Sequence, residues 1–135
     1  KKLGSRTIWI DCDVLQADGG TRTAAITGSF VALSLAINKL VNEGVILEYP
    51  IPHPVAAVSV GVVEGQPMLD LCYVQDAAAD VDMNLVMTGA GEYIEVQGSG
   101  EEATFSADEL NVLLAHGKKG VDELVQLQKA AIDAA

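Results

Sequence analysis

Two glycines between a strand-like run and a long apolar segment constrain this chain most. Thr7–Val14 alternates Ile8, Ile10, Cys12 and Val14 with Trp9, Asp11 and Asp13. That period of two predicts a strand with one buried face. After Gly19-Gly20-Thr21-Arg22-Thr23, the residues Ile26, Phe30, Val31, Leu33, Leu35, Ile37, Leu40 and Val41 predict a largely buried helix from Thr21 to about Val41. A strand, a glycine bend and a helix start place unpaired N–H groups and a partial positive charge at the bend. Backbone without side chains at Gly19 and Gly20, hydroxyls at Thr21 and Thr23, and the planar cation of Arg22 suit an anion, phosphate first. A plain turn before a capped helix has the same composition. The spacing matches neither G-x-x-x-x-G-K-[ST] nor G-x-G-x-x-G, which excludes a Walker loop and a dinucleotide fingerprint.

Gly28 inside the helix is expected to admit a close neighbour, and Gly44 to end it near a C-cap. Pro50, Pro52 and Pro54 interrupt regular structure. They divide the chain into 1–49, a connector over 50–54, and 55–135. Val55–Val63 and Gln66–Tyr73 predict a hairpin turning at Glu64-Gly65. Asp82–Thr88 and Tyr93–Gly98 predict two more strands. Ser106-Ala107-Asp108-Glu109 fits a capping box opening a helix to about His116. Gly117 and Gly120 are expected to break it, with a last helix from Val121 to about Ala134. The order is β-α-β-β-β-β-α-α, an α/β (α+β) class with a mixed sheet packed by helices.

Asp76 and Asp82 flank a small, acidic stretch, Ala77-Ala78-Ala79-Asp80-Val81. On a straight strand their carboxylates would stand ~20 Å apart; on a helix they would point ~120° apart. They converge only if the alanines fold back. Together they would suit Mg²⁺, a hard ion that takes oxygen ligands, or one would serve acid–base chemistry. Solvated acids in an acidic protein are the plainer alternative, and Asp80 competes for either position. His53, between prolines, and His116, near a helix end, have no partner at metal spacing. Ser29, Ser34 and Ser59 show no triad pattern.

The 135 residues carry a formal charge of −11, which repels nucleic acid over most of the surface. Any RNA site must be local. Cys12 and Cys72 sit in apolar, strand-like runs, so buried thiols in a reducing, cytoplasmic setting are expected. No uninterrupted apolar run reaches the ~18–20 residues of a membrane span. No apolar region of a signal peptide follows Lys1-Lys2-Leu3-Gly4-Ser5. A start without Met that leads directly into a strand suggests a chain cut from something longer.

The stretch Ile10-Asp11-Cys12-Asp13-Val14-Leu15-Gln16-Ala17-Asp18-Gly19-Gly20-Thr21-Arg22-Thr23-Ala24 resembles the ribonuclease PH family. So do Val55-Ala56-Ala57-Val58-Ser59-Val60-Gly61, Asp70-Leu71-Cys72-Tyr73, Asp82-Met83-Asn84-Leu85-Val86-Met87-Thr88 and Glu95-Val96-Gln97-Gly98. Their agreement in one register over nearly the whole chain carries far more weight than any one of them. The resemblance implies a fold like ribosomal protein S5 domain 2. It also implies phosphorolytic 3′→5′ trimming of precursor tRNA, in which inorganic phosphate releases nucleoside diphosphates. By the same resemblance, Gly20, Thr21 and Arg22 would hold the attacking phosphate. Asp76 and Asp82 would bind Mg²⁺ or assist proton movement, and Arg22, Asp76 and Asp82 would form the catalytic set. Family members usually carry Glu before the first aspartate, where this chain has Gln75. The implied partners are the 3′ end of precursor tRNA and a homo-oligomeric ring, a hexamer built as a trimer of dimers. The resemblance covers only the C-terminal portion of the family protomer. The N-terminal portion would supply further strands, a second phosphate-binding Arg and most RNA contacts. The alternative is an inactive fragment or a non-catalytic ring subunit.

Overall fold

The computed structural model describes residues 2–101 and 103–135; Lys1 and Glu102 lie outside them. In chain order the elements are α1 (Thr21–Asn42), β1 (Val55–Val63), β2 (Gln66–Leu69), α2 (Tyr73–Asp76), β3 (Val81–Thr88), β4 (Tyr93–Gly100) and α3 (Ala107–Asp133). The strands form one antiparallel sheet in the order β2-β1-β3-β4. The class is mixed α/β, as the residue pattern predicts, but the expected mixed sheet is wholly antiparallel, because neighbouring strands are not joined by helical crossovers.

Alternation along β1 and β3 divides the sheet into two faces. Ala56, Val58 and Val60 on β1 and Met83, Leu85 and Met87 on β3 are buried under Leu113 and Val121 of α3. The opposite face carries register rows that matter below. Gly61, Asp82 and Ser99 align across β1, β3 and β4. Ser59, Asn84 and Gln97 form the next row, and Ala57, Val86 and Glu95 the third.

Several expectations fail. Thr7–Val14 forms no strand. Its backbone is extended, but among the described residues no strand pairs with it, and Trp9 is 86% exposed. Period two prepares a run for pairing without supplying the partner. The expected pair of C-terminal helices is one 27-residue helix, α3. Gly117 and Gly120 do not break it, because both are buried against the sheet. A Cβ at Gly117 would overlap Leu85, and one at Gly120 would lie 2.7 Å from Leu69. Close packing outweighs weak helix propensity here. Among the residues of α1 only Thr23, Ser34 and Ile37 are buried, so the helix is less enclosed than its apolar content suggests. Among the described residues none lies within 4 Å of the Gly28 Cβ position. Finally, Cys12 and Cys72 are exposed rather than buried. Cys12 Sγ lies 3.0 Å from Ser29 Oγ, and Cys72 precedes α2 instead of extending β2.

By length and composition alone α1 could cross a membrane. Here polar contacts tie it to the sheet. β2 pairs only with Val60–Val63, leaving the first half of β1 without a strand on that side. Thr27 fills the gap: its Oγ1 accepts from Ala57 N–H at 3.0 Å and donates to Ala57 O at 3.1 Å. Gln128 of α3, itself buried, donates to Thr27 O at 2.8 Å and Val55 O at 2.9 Å. One amide thereby joins both long helices to β1.

Candidate functional site

The glycine bend is fixed by its backbone. Gly20 occupies the N-cap of α1 at φ 69°, a left-handed conformation that residues with a Cβ adopt at a cost. Its carbonyl accepts from Ala24 N–H at 2.9 Å and from Thr23 Oγ1 at 2.8 Å. Thr23 is therefore turned inward and buried, while Thr21 and Arg22 stay exposed. Beside it, Gly19 touches the Leu71–Cys72 backbone so closely that a Cβ would overlap Leu71 O. Asp18 locks the contact: its Oδ1 accepts from Gly19 N–H at 2.8 Å and from Tyr73 N–H at 2.6 Å. The Tyr73 and Gly19 bonds hold the Asp18 carboxyl below the usual aspartate range.

The alanine stretch does fold back. Asp70 takes a left-handed φ of 60° at the end of β2. Asp70 N–H donates to Ser59 O at 2.8 Å, and Leu71 N–H to Ser59 Oγ at 3.1 Å. Leu71, 1% exposed, then lies over Gly61, where a Cβ would stand 2.7 Å from Leu71 Cδ1. The single turn of α2 follows, with Cys72 N–H donating to Gln75 Oε1 at 3.1 Å. Gln75 thus serves as a local cap, a task its amide oxygen performs. The chain returns with Ala79 buried and Asp80 N–H donating to Val62 O at 2.8 Å.

This excursion brings Asp76 within electrostatic reach of Asp82, which stands opposite Gly61. Burial first, the Asp76 charge second and Glu101 to a lesser degree raise the Asp82 carboxyl above its usual range. The Met83 N–H opposes them. Asp76 is exposed and Asp82 half-buried, so the pair forms an open acidic shelf.

The bend and the acidic pair share one face. A Cβ at Gly20 would lie 3.5 Å from Ser59 Oγ. The bend therefore sits over the Ser59–Asn84–Gln97 row, one row from Asp82, ~7 Å along the strand. Arg22 points the other way. Its Nη1 and Nη2 donate to Glu95 Oε1 and Oε2, each at 2.9 Å, in the Ala57–Val86–Glu95 row. Gly20 thus lies one row from Asp82 on this face, the Arg22 guanidinium is held toward the other end, and Thr21 is exposed beside the extended N-terminal stretch.

Asp18, Ser59, Asn84, Glu95 and Gln97 had no assigned role in the sequence. Register alone brings the last four together, and a lone strand shows only alternation. Asp18 adjoins the glycines, and an acceptor before a bend was the one available signal. Asp11 and Asp13 are exposed, as is His53. His116 Nδ1 lies 2.9 Å from Val112 O of the preceding helical turn, a structural contact.

Residues 53–120 match the model of the 3′ exoribonuclease family, domain 2. Ribonuclease PH of Neisseria meningitidis serogroup C is 58% identical over 135 residues, covering 100% of this chain and 56% of that protein. Ribonuclease PH of Bacillus pumilus is 60% identical over 131 residues, covering 96% and 54%. The chain spans about half the length of the curated relatives it matches. Among solved structures, rice (Oryza sativa) Rrp46 superposes with a TM-score of 0.67 at 20% identity, over 88% of this chain and 51% of that one. That likeness speaks to the fold. The family match runs from the proline connector through all four strands into α3, and so takes in the loop and strand that carry both aspartates: the chain belongs to the 3′ exoribonuclease family.

Proposed function

We propose that this chain supplies the phosphate-binding and acidic part of a phosphorolytic 3′→5′ exoribonuclease that trims the 3′ end of precursor tRNA. The observation that carries the proposal is the glycine bend lying one register row from Asp82 on a single open face. Backbone N–H groups at the start of α1, the Thr21 hydroxyl and Arg22 would hold inorganic phosphate there. A phosphate oxygen attacks the terminal phosphodiester phosphorus in line. The bond from that phosphorus to the 3′ oxygen of the preceding nucleotide breaks, that oxygen takes a proton, and a nucleoside diphosphate leaves. Two anions must meet for this to happen, so clamping phosphate next to the strand end is the main contribution of the bend.

The acidic pair fits Mg²⁺ chemically. Among the described residues no group of three or more His, Cys, Asp or Glu could hold a metal alone. Mg²⁺ commonly takes one or two carboxylates and completes its shell with water and substrate phosphates. Asp76 and Asp82 would be those carboxylates; the Asp82 carboxyl is raised by burial first and by the Asp76 charge second, and a cation between the two would relieve the latter. When bound, the ion would offset charge on phosphate oxygens. In its absence, Asp82 would protonate the leaving 3′ oxygen, a role that a raised carboxyl suits.

The remaining portion of a family protomer and a ring of copies would complete the RNA path, since a net charge of −11 does not attract RNA. A non-catalytic role is the second possibility, favoured by one observation: Arg22 is already occupied by a carboxylate.

The test is direct. Full-length protein carrying this sequence is incubated with precursor tRNA, inorganic phosphate and Mg²⁺. Nucleoside diphosphates are expected, and Arg22→Ala should abolish them. Nucleoside monophosphates would mean hydrolysis and overturn the proposal. Absence of any product from folded wild-type protein would favour the non-catalytic role.

A further inference from the structure

Arg22 and Glu95 lie 73 residues apart and meet through two parallel hydrogen bonds of 2.9 Å. Their side chains keep 51% and 37% of their exposure. An ion pair this open adds little to stability, so its interest lies in what it does to the guanidinium. A carboxylate presents two oxygens in a plane, the same outline that two oxygens of a phosphate present. Among the described residues no other cation pairs with Glu95. Val86 is its neighbour on β3, and an apolar neighbour offers its charge no alternative partner.

We infer that Glu95 is a resident anion: it occupies the Arg22 fork in the free protein, and inorganic phosphate must displace it to bind. The inference rests on the phosphate-binding role proposed for Arg22 and deepens it. Phosphate carries more charge than a carboxylate, and the bend supplies N–H donors that Glu95 does not reach. Displacement is therefore favourable only when phosphate engages bend and guanidinium together. A lone sulfate-like contact with Arg22 would have to compete with Glu95 for the same nitrogens. Glu95 thereby sets phosphate affinity and discriminates against anions that touch Arg22 alone. The displaced carboxylate, already over one-third exposed, returns to water at little cost. In the pair, hydrogen bonding to Arg22 lowers the Glu95 carboxyl and raises Arg22, so phosphate binding should bring Glu95 back up toward its usual range.

Glu95→Gln keeps the shape and removes the charge. In full-length protein, calorimetric titration with inorganic phosphate at low salt should show binding tightened by about three- to tenfold. The KM for phosphate should fall by the same factor, with kcat within about twofold. The gain should shrink as ionic strength rises. Carbon-13 titration of the Glu95 carboxyl in wild-type protein should show its pKa rising when phosphate is added. Unchanged or weaker phosphate binding by folded Glu95→Gln would overturn the inference; weaker binding would make Glu95 an orienting support instead. Arg22→Ala separates this failure from that of the underlying proposal. If Arg22→Ala binds phosphate as wild type does, the role of Arg22 itself falls. If it loses binding while Glu95→Gln binds normally, only displacement falls.

Discussion

Asp18 Oδ1 accepts the Tyr73 N–H at 2.6 Å, joining the glycine bend to the first residue of α2 across 55 positions of sequence. The glycine bend and the aspartate loop are therefore tied together by one carboxylate. Asp18→Ala should free the two from each other. Phosphate-dependent activity should fall roughly 10- to 100-fold, as small misplacements near reacting groups do. Asp18→Asn, whose amide oxygen still accepts, should lose less. The bonds from Tyr73 and Gly19 depress the Asp18 carboxyl, so its contribution is present above the usual aspartate range and lost as pH falls through the lowered value. Hydrogen exchange at the Tyr73 amide checks this: protection should drop in Asp18→Ala, and in wild-type protein only at strongly acid pH.

Asp82 behaves with the opposite sign. Its carboxyl is raised, chiefly by burial and then by Asp76. Its favourable contribution is therefore complete below the usual aspartate range and lost as pH rises through the raised value. Asp82→Asn carries no such dependence. Its Tm advantage over wild type should appear across that window and reach about 2 °C or more at neutral pH. Millimolar Mg²⁺ should raise the wild-type Tm at neutral pH and leave Asp82→Asn unmoved. Melting curves running parallel at all pH values would contradict a raised Asp82 carboxyl.

Two glycines inside helices should respond in opposite directions to alanine. Gly28→Ala meets no described residue within 4 Å and should stabilise by roughly 0.5–1 kcal/mol through helix propensity alone. Gly117→Ala would press on Leu85, which is 0% exposed, and should destabilise by about 1–3 kcal/mol. Urea denaturation of both variants measures the two signs.

Ser106 starts α3 with a full capping box. Its Oγ accepts from Glu109 N–H at 3.2 Å, and Glu109 Oε2 accepts from Ser106 N–H at 2.7 Å and from Ser106 Oγ at 2.8 Å. Ser106→Ala should cost roughly 0.5–2 kcal/mol by chemical denaturation. The Ser106 backbone and hydroxyl bonds lower the Glu109 carboxyl. That part of the stability holds above the usual glutamate range and is lost as pH falls through the lowered value.

Local signals in the sequence were legible wherever a residue acts through its near neighbours. The limits of β1, the start of α1 after Gly20, the capping box at Ser106 and the turn at Gly65 all follow from side chains within four positions. What was not legible depends on distant partners. Thr7–Val14 has the alternation of a strand, but among the described residues no strand pairs with it. Gly117 reads as a helix breaker until Leu85 is placed against it. Glu95 reads as one exposed position of an alternating strand until the register sets it under Arg22. The return of Asp76 to Asp82 is an intermediate case. The small alanines permit it, and the grip of Ser59 on the Asp70–Leu71 backbone makes it happen.

Gly61 has one further consequence. Because it offers no side chain, Leu71 rests directly on the sheet, and the height of α2 above Asp82 is set by an aliphatic contact rather than by any charged group. The spacing between the two acids is thus under the control of a hydrophobic spacer. Evolution or an engineer could retune their electrostatic coupling by altering a methyl group, leaving every ionisable side chain in place.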